Sequence, residues 1–151
     1  MDPIKTKIAM RALHKYFIWA AVMRDHFYTF VPQIAANRGS GRFDPEVVKA
    51  DLYMSFWYGE LYVVIEGWKE LGLSDPTIDA LLQSSKVELL KRFRNGVFHF
   101  QADYFDDRFL DFISDKDAAT WTADLNEAFS KYFLKWMSEE RAANAAKLPE
   151  V

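Results

Sequence analysis

Residues 44–73 read DPEVVKADLYMSFWYGELYVVIEGWKELGL, and this stretch decides the fold. Asp44 supplies an N-cap acceptor, and Pro45 suits the first helical position because its missing N–H has no partner there anyway. Phe43 can pack on Val48 as a hydrophobic staple. Met54, Trp57, Leu61, Val64, Trp68 and Leu71 then repeat at spacings of three and four. Gly72 followed by Leu73 fits a Schellman stop. At about 1.5 Å per residue, such a helix is a rod of roughly 40 Å, a length that suits a helical bundle.

The flanking sequence extends this pattern. Upstream, Asp2-Pro3 is a second cap-and-proline start. Leu13, Tyr16, Phe17, Ala20, Met23, Phe27 and Phe30 follow at helical spacing until Pro32, which should end or kink the helix. Residues 35–43 read as a flexible basic loop, with Arg38 and Arg42 beside two glycines. Downstream, Asp75-Pro76 opens a third helix expected to reach about Phe100, with a stripe of Leu90, Phe93, Val97 and Phe100. Residues 101–115 mix aromatic residues with aspartates and are read as a short amphipathic helix over the bundle. A fourth long helix follows Asp117 and carries Trp121, Leu125, Phe129, Tyr132, Phe133, Trp136 and Met137. The alanine-rich tail, residues 140–151, is expected to fray. The expectation is one all-α domain over residues 1–151: an antiparallel four-helix bundle with a short extra helix or irregular segment between the third and fourth long helices.

Composition agrees and excludes alternatives. The chain has 151 residues, 50% hydrophobic and 17% aromatic, which is too apolar for disorder over most of its length. Six glycines and five prolines are few for a turn-rich β-sandwich. With no cysteine, disulfides, cysteine zinc sites and thiol nucleophiles are excluded. Net charge is −3, divided unevenly: basic residues exceed acidic ones 8 to 4 in residues 1–50, but acidic exceed basic 11 to 6 in residues 101–151. Duplex binding driven by bulk charge is therefore not expected. The longest apolar run, Tyr16 to Met23, is too short to span a bilayer, and a cytoplasmic location is the expectation.

Residues of catalytic type converge in one segment, Lys91-Arg92-Phe93-Arg94-Asn95-Gly96-Val97-Phe98-His99-Phe100. Arg94 and His99 have four residues between them, and Asn95 directly follows the arginine. An arginine, a polar residue and a histidine at such spacing arise by chance roughly 0.06 times in a chain of this composition. The segment resembles the signature of the HEPN superfamily, whose members are small all-α bundles, typically dimers with two motifs facing one cleft. The resemblance implies metal-independent RNA cleavage: attack of a ribose 2′-hydroxyl on the adjacent phosphate, with no cofactor. Arg94, Asn95 and His99 would be catalytic. Histidine titrates near neutrality and can move the protons; arginine's planar fork suits a phosphate. Lys91, Arg92, Arg38 and Arg42 would bind substrate, and Glu60 would support His99 or Arg94. Partners would be a second copy of the chain, RNA and an antitoxin-type protein, as in toxin or defence systems, and no membrane.

Geometry limits this reading. Five positions rotate about 500° on an ideal helix, so Arg94 and His99 point about 140° apart, whereas Asn95 and His99 are neighbours. Gly96 costs about 1 kcal/mol in a helix relative to alanine and asks for a reason: a distortion that swings the imidazole, or a close approach. Glu88, Arg92, Asn95 and His99 form a polar stripe that is either a solvated face or one shared with a second subunit. Glu66, His14 and His26 read as structural. Asp103, Asp106, Asp107 and Asp111 lack the spacing of a calcium loop, so no metal is expected. The competing readings are a module that binds nucleotide or RNA without cleaving it, a structural bundle for homodimerisation or partner docking, and a small-ligand binder if an apolar pocket is present.

Overall fold

A computed structural model describes residues 3–36 and 44–146. Among them are six helices and no strand: α1 (Pro3–Ala36), α2 (Pro45–Glu70), α3 (Pro76–Leu81), α4 (Lys86–Phe98), α5 (Asp107–Ile113) and α6 (Ala118–Ala145). The protein is an all-α helical bundle.

The ends of α2 form as the sequence dictates. The Asp44 carboxylate accepts the Glu46 N–H at 2.9 Å. At the other end Gly72 takes φ +62°, the left-handed region that glycine enters without a Cβ penalty. Leu73 N–H then bonds the Trp68 carbonyl and Gly72 N–H bonds the Lys69 carbonyl, which completes a Schellman motif. Asp75 caps α3 by accepting the N–H groups of Thr77 and Ile78.

The helix α2 is the centre of the bundle. Its antiparallel pairing with α1 is marked by His26 and Phe30 stacked on Tyr53 at one end, and at the other by Gly67, where a Cβ would stand 2.5 Å from Leu13 Cδ1. It pairs antiparallel with α4 through Tyr58 on Phe93, Phe98 across Gly59, and Glu66 to Arg94. The helix α6 runs antiparallel to α1, from Phe129 and Phe133 on Phe17 to Lys7 and Glu140. Trp68 edges onto Phe129 and Tyr132 and ties α2 to α6.

Four expectations are corrected. The third helix is two: the Leu81 carbonyl accepts the Trp121 indole N–H at 3.0 Å and the Ser84 N–H at 3.2 Å, so α3 stops there. The Ser84 hydroxyl then accepts the Lys86 N–H, a local bond that competes with continuing the helix. Phe100, placed on the core stripe by its spacing, lies beyond the end of α4 and is 94% exposed. The loop expected over 35–43 does not begin at residue 35: of the two outcomes expected at Pro32, an end or a kink, the helix does not end there but continues to Ala36, although the missing N–H costs the Tyr28 carbonyl its helical bond. Ala35 and Ala36 are therefore helical, while Arg38, Arg42 and Phe43 lie outside the described residues. Of the tail expected to fray from residue 140, residues 140–145 are helical, supported by alanine's high propensity and the Lys7–Glu140 ion pair at 2.5 Å, and residues 147–151 lie outside the described residues. The segment over 101–115 does contain a short helix, α5, and its buried Phe112 packs on Tyr58, Phe93 and Trp121.

Candidate functional site

The helix α4 ends at the motif. Phe98 is its last residue, and His99 turns out of it with extended backbone, φ −126° and ψ 131°. Gly96 is accounted for by a close approach: a Cβ there would stand 2.9 Å from the Phe109 ring of α5. The approaching group is thus a side chain of the neighbouring helix, which comes this close only because position 96 has none.

Arg94 and His99 are not brought together within one chain. Arg94 is a partly buried tie between α4 and α2. Its Nη2 donates to both oxygens of Glu66 at 2.7 Å, and its guanidinium carbon lies 5.1 Å from the centroid of the Tyr62 ring. Nε is buried without a hydrogen-bond partner, and Nη1 makes no hydrogen bond among the described residues. Asn95 meets His99 only through the backbone, the His99 N–H donating to the Asn95 carbonyl at 3.1 Å. The His99 carbonyl accepts the Gln101 amide at 2.6 Å, and Gln101 in turn accepts from Arg108. The exposed His99 side chain borders a different surface from Arg94.

That surface is a groove of about 630 Å³ between the N-terminal half of α2, the end of α4, the 99–105 segment and α5. Its walls include Leu52, Phe56, Val97, Phe100, Tyr104 and Phe109. A larger groove of about 830 Å³ runs between α3 and α6, but none of the motif residues lines it.

Of the other nominated cations, the two within the described residues, Arg92 and Lys91, are also engaged. Arg92 Nη1 meets Asp111 Oδ2 at 2.5 Å, and Lys91 Nζ lies 3.9 Å from Glu88 Oε2. Both pairs are exposed, where such bridges are worth about 0–1 kcal/mol and exchange readily for another anion. The support assigned to Glu60 is not seen: no hydrogen bond or ion pair links it to Arg94 or His99. It stands one heptad before Gly67 and so on the α1-facing side of α2, and its Oε2 is buried without a partner. Burial pushes its carboxyl above the usual carboxylate range. The carboxylate that meets Arg94 is Glu66, six positions later; its exposed place on the far side of the apolar stripe hid it from pattern reading. Among the described residues no cluster of three or more histidines, aspartates or glutamates could hold a metal ion, and no helix is long and apolar enough to cross a membrane.

These features define the class of protein at the level of architecture, a helical bundle with an aromatic groove beside an Arg-Asn-…-His segment. Comparison with family models, curated proteins and solved structures finds no significant match.

Proposed function

We propose that this chain is a HEPN-like protein acting on RNA, a metal-independent endoribonuclease whose site is completed by a second copy. The observation that carries the reading is the state of the two motif side chains. His99 leaves the helix end with an exposed side chain, as an acid–base group needs. Arg94 is steadied by Glu66 through one nitrogen, and Nη1 remains without a hydrogen bond and can take a phosphate oxygen. Within one chain the two face different surfaces, so a composite cleft is required.

A labelled single-stranded RNA incubated with the protein in EDTA tests this directly. Cleavage is expected, with its 2′-deoxy analogue left intact and His99→Ala reduced by about 10²-fold or more. No cleavage by folded wild-type protein across several RNAs would remove the enzymatic reading. The Glu66–Arg94–Tyr62 arrangement favours a second reading, in which Arg94 is a structural tie of a partner-docking bundle. In that case Arg94→Ala lowers stability, and no RNA affinity is present for it to lose.

A further inference from the structure

The groove beside His99 has a charge character of its own. Its lining carboxylates are Asp51 and Asp103, beside the His99 imidazole and the Tyr104 phenol; no lysine or arginine lines it. Asp51, on α2 between Val48 and Leu52, makes no hydrogen bond or ion pair among the described residues. Neighbouring groups desolvate its carboxyl and push it above the usual carboxylate range. Asp103 uses one oxygen to accept the Phe105 N–H at 2.9 Å. Six aromatic rings line the same space: Phe56, Phe93, Phe100, Tyr104, Phe105 and Phe109. Three of them are 94%, 84% and 67% exposed, at Phe100, Tyr104 and Phe105. Ring faces carry partial negative charge and attract cations, and two carboxylates add to that field. Arg108 reaches the rim but is held there by Gln101 and Asp106, so a phosphate or carboxylate ligand would meet both aspartates with no free cation lining the groove. The volume of about 630 Å³ is that of a small-molecule site.

We propose that this groove binds a hydrophobic organic cation, an ammonium on an alkyl or aryl body, with its charge between Asp51 and Asp103 and its body against the aromatic wall. The assignment is independent of RNA cleavage. It is tested by titrating the full chain at neutral pH with three eight-carbon probes below their aggregation limits: octylamine, 1-octanol and octanoate. Calorimetry gives affinity and stoichiometry, and aromatic NMR resonances locate the site. The expected result is one octylamine per chain, bound at least tenfold more tightly than octanoate, with shifts at Phe56, Phe100 and Tyr104. Asp51→Asn with Asp103→Asn should reduce octylamine to the affinity of 1-octanol and leave 1-octanol unchanged. Asp124→Asn, in the groove between α3 and α6, should change neither. Equal affinity for all three probes, preference for octanoate, or loss of octylamine binding in Asp124→Asn would overturn the proposal. So would a dimer in sedimentation whose groove resonances no probe moves, because a second copy would then cover this face.

Discussion

The region around the turn joining α2 to α3 and the region around the segment joining α4 to α5 have opposite characters. In the first, residues 68–79, polar groups find partners within a few positions. The Asp79 carboxylate alone accepts from the Trp68 indole at 3.2 Å, the Ser74 hydroxyl at 2.6 Å and the Asp75 N–H at 3.1 Å. In the second, residues 98–107, four of the five aromatic side chains from Phe98 to Phe109 are exposed. One region satisfies its own polar groups, and the other leaves its rings uncovered. Polar groups bonded to one another within a segment stabilise it locally, whereas apolar rings held out in water gain free energy only when something covers them.

The contrast can be broken by mutation, and the largest effect is expected at Trp68. It is 1% exposed, so Trp68→Ala should cost about 3–5 kcal/mol in urea or thermal unfolding. A loss no greater than that of a surface substitution would erase the distinction. Gly96→Ala comes next, because its methyl must displace the Phe109 ring. A net loss of about 1–2 kcal/mol is expected, with faster amide exchange along α5. Unchanged exchange there would show that α5 does not depend on this contact.

A pH titration sharpens the same comparison. The Ser74 hydroxyl, with the Trp68 indole and Asp75 N–H, holds the Asp79 carboxyl below its ordinary value of 3.8. A lowered folded-state value means that the unfolded chain binds the proton more readily. The stabilisation is therefore present above the ordinary value and lost as pH falls through the folded one. Asp79→Asn should flatten that part of the acid-unfolding curve, and an unaltered curve would remove the carboxylate from the account. The smallest effect is expected at Phe100. Phe100→Ala should change stability by no more than about 0.5 kcal/mol, read from the same unfolding curves. A large loss would mean that the ring is covered in solution.

Much of the fold was readable because its signals are local. Asp44-Pro45, Gly72-Leu73 and Asp75-Pro76 act on the backbone within four residues, and the structure uses each as its chemistry requires. The break between α3 and α4 was not readable, since it depends on Trp121, forty residues away, donating to Leu81. The second buried stripe of α2, with Tyr58, Tyr62 and Ile65, was missed for a similar reason: it exists because α4 and α5 pack on a side that a single amphipathic pattern leaves to solvent. At the candidate site, the sequence located the Arg94–His99 segment but not the partner of Arg94. Glu60 flanks the apolar stripe and Glu66 lies opposite it, and only the placement of α4 against that far side of α2 gives the arginine to Glu66.

By itself, the sequence determined an all-α chain, the starts of α2 and α3, the glycine stop at residue 72, and the position of the Arg-Asn-…-His segment. Each follows from capping, propensity or periodicity, which act over one or two turns. Tertiary structure decided that α4 ends at Phe98 with His99 outside it, that Gly96 receives the Phe109 ring, and that Asp51 and Asp103 share a groove with six aromatic rings. Those outcomes depend on which helix faces meet between elements well apart in the chain, and side-chain packing between elements, rather than any local preference, selects them.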